Sequence, residues 1–348
     1  MKASVCISIT ESTQVGEARR VIGALASKIE LSETLRGQVA IIVTELGNNL
    51  IKHTRGKGGQ LICRALESLD GNGLEILAVD QGPGMADVSR CMTDGYSTAG
   101  SPGTGLGAVN RLSSVFDIHS LSGVGTAILS QVFAKPLSRS GHHTNAFEVG
   151  AVCLPIRGET VSGDGWETHL QTDSNNVLVV DGLGHGPLAF EAAQSAIRSF
   201  TENAELAPKD AIQNIHHALK STRGAAVAVT QISSDESLVH YAGVGNIVGI
   251  IFSRSGEQRR MASHNGTAGV QIRTVQEFSY PWDSNSILVM HSDGISTHWG
   301  LEKYTGLLNR HPSIIAAVIH RDFSRGRDDS TVLVVSPRQY ESVWKATA

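Results

Sequence analysis

The sequence predicts a two-domain α+β protein whose second half is a layered α/β/β/α sandwich. Three observations carry this. The chain has 348 residues, more than one typical core uses, so about two domains are expected. An amphipathic helical pattern between residues 32 and 50 is followed by strand runs and a glycine-rich loop. Beyond residue 146 strand runs dominate, with a few helices between them, which argues against a parallel doubly wound sheet.

Residues 5–9 read as a strand. Ser32 caps a helix, with Glu33 favourable in its first turn. Leu35, Val39, Ile42, Val43, Leu46 and Leu50 recur at helical spacing, so that face is core. Strands are expected at 60–66 and 74–79, a Gly-rich loop at 95–105, a helix at about 106–114, and strands near 116–121 and 126–133. Residues 135–145, KPLSRSGHHTN, hold Pro, Gly and Ser with no apolar period and read as a linker. The expected organisation is a first domain at 1–136, a linker at 137–145 and a second domain at 146–348. In the second, strands are expected at 146–155, 160–162, 176–180, 225–232, 238–242, 247–254, 287–290 and 331–335, and helices at about 187–202, 209–219 and 313–322.

Composition narrows the function classes. Hydrophobic residues make up 41% and charged residues 18%, a globular composition. A net charge of -4 without a long basic run argues against a nucleic-acid partner. No apolar stretch approaches the roughly 20 residues that span a bilayer, and residues 1–11 read as a strand rather than a signal peptide. Cys6, Cys63, Cys91 and Cys153 are scattered with no CxxC, which fits reduced thiols in a cytoplasmic enzyme.

Three segments of the first half belong together. ELGNNLIKH, ending at His53, lies on the amphipathic helix, where Glu45 and Asn49 are four apart and share a face. A carboxylate and an amide oxygen so placed can hold a Mg²⁺ carrying phosphate oxygens. DQGPGM follows a strand directly; Asp80 at its start can accept from an adenine amino group, and Gly82 and Gly84 let the backbone pass close to the base. SPGTGLGAVNRL opens a helix, whose N–H groups and dipole suit phosphate. Each piece alone has an ordinary reading: a solvated Glu–Asn pair, a tight turn, a loop. A Rossmann reading is poor, because the glycines do not follow a strand directly and no acidic residue ends a second strand.

Together the three segments resemble the N box and two glycine boxes of the GHKL (Bergerat) ATPase fold, over about residues 8–136. The short domain is similar to serine kinases of the RsbT/RsbW type, which control partner-switching cascades and stressosomes. The resemblance implies ATP with Mg²⁺ as ligand: Asn49 on the metal, Glu45 as general base, Asp80 on adenine, Gly82, Gly84, Gly103, Gly105 and Gly107 shaping the pocket, and Thr126 behind the base.

The second half carries four Asp residues at strand ends or tight turns: Asp164 in VSGDGW, Asp181 in VLVVDGLGHG, Asp293 in ILVMHSDG and Asp328 in GRDDSTVLVV. One DG is ordinarily an Asx-turn. Several carboxylates buried near one another are costly without cations, and hard divalent ions are their natural partners. Two such ions can share a bridging carboxylate and activate water for attack on phosphorus.

The set resembles the SpoIIE/RsbX branch of the PPM (type-2C-like) phosphatases, over about residues 146–336, and YAGVGN at 241–246 is similar to that branch's central hairpin. The resemblance implies two Mn²⁺ or Mg²⁺ ions, with Asp181 bridging, the Gly182 carbonyl, Asp164 and Asp293 as ligands, and Asp328 rather than Asp329 as the last ligand. His185 is either an acid or a loop residue packed nearby, and no arginine securely matches the phosphate-binding arginine of eukaryotic relatives. The implied activity is hydrolysis of phosphoserine or phosphothreonine on a STAS-domain antagonist or stressosome-type protein. The first domain is then a kinase for the same partner, or a module that only senses ATP or docks. A small-molecule phosphatase is the other alternative.

Overall fold

The computed structural model describes residues 4–67, 71–92, 105–135, 146–170 and 175–338. The expected linker at 137–145 and the glycine loop before Gly105, Gly103 included, lie outside the described residues.

The first half runs β1 (Val5–Ile9), α1 (Ser12–Lys28), α2 (Glu33–Lys52), β2 (Gly59–Leu66), β3 (Gly73–Asp80), the single turn α3 (Val88–Cys91), α4 (Gly105–Leu112), β4 (Val115–Leu121) and β5 (Gly125–Phe133). The strands form one antiparallel sheet in the order β1-β2-β3-β5-β4. Ser32 caps α2, accepting from the Leu35 N–H. A helix at Ser12–Lys28 was absent from the expected elements; Val15, Ala18, Ile22 and Ala26 bury its narrow face. The small alanines of that face and Gly16 and Gly23 outside it keep its pattern faint. Helices α1, α2 and α4 cover one face of the sheet and enclose a core with Ile9, Leu61, Ile76 and Ile128.

The second half runs β6 (Phe147–Leu154), β7 (Asp164–Leu170), β8 (Asn175–Gly182), α5 (Pro187–Glu202), α6 (Pro208–Ala218), β9 (Ala225–Ser233), β10 (Leu238–Val244), β11 (Val248–Ser253), β12 (Gln258–Met261), β13 (Gly266–Thr267), β14 (Gln271–Ile272), β15 (Phe278–Pro281), β16 (Ser286–His291), α7 (Pro312–Phe323) and β17 (Ser330–Pro337). Two antiparallel sheets, β15-β10-β9-β8-β7 and β12-β11-β16-β17-β6, face each other around Trp166, Val179, Tyr241, Leu288 and Leu333. Helices α5 and α6 cover the first sheet, and α7 covers the second. Residues 160–162 form no strand; the strand starts at Asp164, because Asp329 holds the preceding loop through the Ile156 and Gly163 N–H groups, both at 2.6 Å. The short strands β12 and β15 also escaped the sequence pattern, being mostly exposed.

The halves share a core. Residues 312–320 of α7 are all buried, between β6 and β17 on one side and the first-half sheet on the other. Ile62, Leu77, Val79, Ala127 and Leu129 of that sheet meet Ile315, Val318 and Ile319 in one cluster. The layers therefore run continuously: helices, sheet, α7, sheet, sheet, helices. Polar anchors fix the register. Glu75, fully buried in β3, accepts from Arg64 Nε at 2.6 Å, Gln131 Nε2 at 2.7 Å and Ser313 Oγ at 2.6 Å. Burial alone would push the Glu75 carboxyl up; the Arg64 charge and the Arg64 and Ser313 hydrogen bonds outweigh it and hold it below the ordinary range. Gly150 of β6 lies so close to the backbone of Pro312 and Ser313 that a side chain there would collide with the start of α7.

Candidate functional site

Four acidic residues predicted from sequence converge at one end of the second-half sandwich. Antiparallel pairing of β7 with β8 sets Asp164 directly opposite Asp181. Asp293 follows β16, and Asp328 closes the turn between α7 and β17, the strand paired with β16. The two turns touch, for a side chain at Gly294 would strike the Asp329 carbonyl. Gly182 is likewise pressed against the Ala189 carbonyl of α5.

The electrostatics are those of a crowded carboxylate set. Burial pushes the Asp181 carboxyl up, and the charges of Asp164, Asp293 and Asp328 add to it, to about 9. Burial likewise raises Asp164, to about 7, against a 2.6 Å hydrogen bond donated by Ser292 Oγ. Burial and the Asp328 charge raise Asp293, while Asn246 Nδ2 donates to it at 2.7 Å. The adjacent pair at 328 and 329 divides its work: Asp329 commits both carboxylate oxygens to loop N–H groups, whereas Asp328 is part-exposed and accepts only from the Asp329 N–H, at 2.9 Å. His185 is held by Glu159 at 2.9 Å with its side chain 57% exposed.

Among the described residues no three His, Cys, Asp or Glu side chains are set closely enough to enclose a metal unaided. The donor chemistry nevertheless fits a hard divalent cation, since it is all oxygen and the carboxylates are buried beside one another.

The first-half constellation also assembles. Glu45 and Asn49 project from α2 toward the start of α4, where a Cβ on Gly105 would come 2.8 Å from Glu45 Oε2 and 4.0 Å from Asn49 Oδ1. Gly107 is buried in the same helix. Asp80 ends β3, and its Oδ1 accepts from the Gly82 N–H at 2.7 Å. A Cβ on Gly82 would lie 2.9 Å from that carboxylate, and Gly84, at φ +68°, is pressed against the Leu121 carbonyl. Thr126 pairs with Asp80 across the ladder, and its hydroxyl is 2.9 Å from Ser120 Oγ, which accepts from the Met85 N–H. His53 is close enough to Asp80 to feel its charge; burial holds the imidazole below its usual range.

Sequence reasoning missed Arg321. This α7 side chain crosses between the halves and donates to the carbonyls of Asp80 at 2.9 Å and Thr126 at 3.3 Å, while Asp322 clamps its other nitrogens and accepts from Gln81. Ser292 and Asn246 were also unassigned.

Residues 9–131 match the histidine kinase-like ATPase domain family, and residues 172–338 match the stage II sporulation protein E (SpoIIE) family. The serine/threonine-protein kinase RsbT of Bacillus subtilis is 32% identical over 128 residues, 37% of this chain and 95% of RsbT. The chain belongs to the family of that kinase. It joins a histidine kinase-like ATPase domain to a SpoIIE-type serine/threonine phosphatase domain. The phosphoserine phosphatase RsbX of the same organism is 28% identical over 146 residues, 41% of this chain and 72% of RsbX. A chain solved in work on the bacterial stressosome, described as a modular system adapted to control secondary messenger signalling, aligns with a TM-score of 0.50 at 27% identity over 54% of this chain and 98% of its own length. Among the described residues no helix of this ATPase–phosphatase chain is long and apolar enough to cross a membrane.

Proposed function

We propose that the chain is a metal-dependent phosphatase of phosphoserine or phosphothreonine on a protein partner, acting in a cytoplasmic partner-switching pathway. The single observation that carries this is the convergence of Asp164, Asp181, Asp293 and Asp328, with Asp181 central enough to feel the other three charges. Asp181 would be shared between two Mn²⁺ or Mg²⁺ ions, with Asp164, the Gly182 carbonyl, Asp293 and Asp328 completing the set. When bound, the ions supply Lewis acidity and neutralise charge on the phosphoryl group. The chain's own residues keep that set in order: Ser292 orients Asp164, Asn246 orients Asp293, and Asp329 holds the loop that leads into β7. The partner class, a STAS-domain antagonist or a stressosome-type scaffold, rests on the relatives. Hydrolysis of p-nitrophenyl phosphate and of a phosphoserine peptide in Mn²⁺, both abolished by chelator, tests the reading; full turnover in excess chelator overturns it.

The ATPase domain binds ATP with Mg²⁺ through Asp80, Asn49 and the Gly105 region, with Glu45 placed as the general base of a serine kinase. Asp80→Asn is expected to weaken ATP binding about tenfold or more, because an amide presents a donor where an acceptor of the adenine amino group is needed. Asn49→Ala should remove the part of the affinity that depends on Mg²⁺. Calorimetry with and without Mg²⁺ measures both, and unchanged affinities in both variants would count against the pocket.

One observation favours a second role for this domain, as a sensor. Arg321 ties the strand ends beneath the adenine site to α7, and four residues later the Arg325 N–H donates to the Gly294 carbonyl, beside Asp293, at 2.8 Å. A nucleotide that favours one arrangement of Asp80 and Thr126 then shifts the phosphatase. The expected result is a phosphatase rate that changes on adding a non-hydrolysable ATP analogue, and that stops responding in Asp80→Asn. A wild-type rate indifferent to the analogue removes the coupling.

A further inference from the structure

Three sheet edges meet at one place. β1, β6 and β7 are each the last strand of their sheet, each paired on one side only. They converge where the Ser4 N–H donates to the Cys153 carbonyl at 3.1 Å. Around that point lies a cavity of about 930 Å³ along the seam between the two domains. Cys6 and Ser8 line it from the ATPase domain, Leu154 and Trp166 from the phosphatase domain, and Asp164 and Asp328 connect it to the carboxylate site.

Strand geometry fixes what the ATPase wall presents. Successive residues of an antiparallel strand turn their backbone polar groups alternately toward the partner and away from it. Ser4 points away from β2, since its N–H reaches β6. Cys6 and Ser8 share that direction and turn their N–H and C=O groups into the cavity. An edge with unpaired backbone groups is a template for another strand, and an extended peptide that pairs there gains affinity from main-chain hydrogen bonds. The walls add a charge preference: Glu67, Glu159 and Glu167 stand against Arg157 among the described lining residues. His320, also on the lining and buried, leaves Nδ1 without a hydrogen-bond partner.

Resting on the phosphatase reading above, the geometry points to this seam as the docking groove for the substrate: an extended, phosphorylated segment of the partner protein, flanked by basic residues, adds as a strand to the free edge of β1 and delivers its phosphate to the Asp164–Asp328 end. Both domains then contribute to substrate recognition, although only one carries the carboxylates. A phosphatase severed from the ATPase sheet loses one wall of its own groove.

The test uses the full chain in Mn²⁺. The probes are a lysine-flanked phosphoserine peptide, the same peptide N-methylated at alternate backbone positions, and p-nitrophenyl phosphate, which has no backbone to pair. The expected results are a KM for the N-methylated peptide about tenfold above that of the parent at similar kcat, the equivalent of one lost hydrogen bond, and a similar rise for the parent peptide with Ser8→Pro, which removes one N–H from the groove. Equal KM values for the two peptides on the wild type overturn the proposal, whether or not Ser8→Pro folds. Absence of p-nitrophenyl phosphate hydrolysis instead removes the phosphatase reading beneath it.

Discussion

Asp181→Asn is expected to lower kcat by roughly 10³-fold or more, the scale of several kcal/mol of transition-state stabilisation from the ions this carboxylate would hold in common. The same change has a second, opposite-looking consequence. The Asp181 carboxyl is raised to about 9 in the folded chain, by burial first and by the neighbouring carboxylates second. Its native form therefore binds a proton more tightly than its unfolded form does. Stability falls with rising pH wherever the native state holds the extra proton, from the ordinary carboxylate range up to about 9. In chelator at neutral pH the asparagine variant is then the more stable protein, with a melting temperature higher by a few degrees, and the advantage vanishes in acid below the ordinary carboxylate range. In Mn²⁺ the order reverses, because the wild type gains binding free energy that the variant cannot. Thermal melts of both proteins in chelator and in Mn²⁺, at acid and neutral pH, read all four states. A variant no more stable than the wild type in chelator at neutral pH would show that the carboxylate cluster is not under electrostatic stress.

Glu75→Ala is expected to cost about 3–5 kcal/mol, the scale seen when one member of a buried ion pair is removed and the other is left. The remaining Arg64 guanidinium, 6% exposed, would lose its carboxylate partner, and Ser313 and Gln131 would lose their acceptor. The damage reaches both domains, because Glu75 sits in the ATPase sheet while Ser313 opens the helix that covers the phosphatase sheet. Unfolding monitored separately at each domain should move together. The carboxyl is held below its ordinary range, so its contribution is present above the unfolded carboxylate pKa and is lost as pH falls through the lower folded value. The gap between wild type and variant should accordingly close in strong acid. If only the ATPase domain were destabilised, the shared core would not be a cooperative unit.

The four aspartates were legible in the sequence because each announces itself locally. Asp164, Asp181 and Asp293 each precede a Gly, the latter two at or just after an apolar run, and Asp328 opens an acidic pair before a strand; together these local signals point to a carboxylate set. Glu45 and Asn49 were legible for the same reason, through helical spacing. What orients these groups was not legible. The partner of Asn246 is 47 positions away, that of Ser292 is 128 positions away, and Arg321 reaches a carbonyl 241 positions earlier. No local pattern encodes such a pair, since a serine or arginine looks the same in sequence whether its partner is water or a remote backbone group. Helix α1 had a signal in Val15, Ala18, Ile22 and Ala26, but alanine contributes little to a hydrophobic period.

The composition break expected at 135–145 points to two domains, and there the sequence stops short. Residues 312–320 are apolar nearly all round, the mark of a helix buried on every side. That pattern states that α7 is enclosed but not by what. The sequence by itself determined most of the element types and the two families of motif, because these depend on residues close together in the chain. Only the tertiary structure decided that α7 is walled by sheets from both halves, that Glu75 and Arg321 fasten them, and that three strand edges open onto one seam, because such pairings depend on which apolar faces find each other when the whole chain closes.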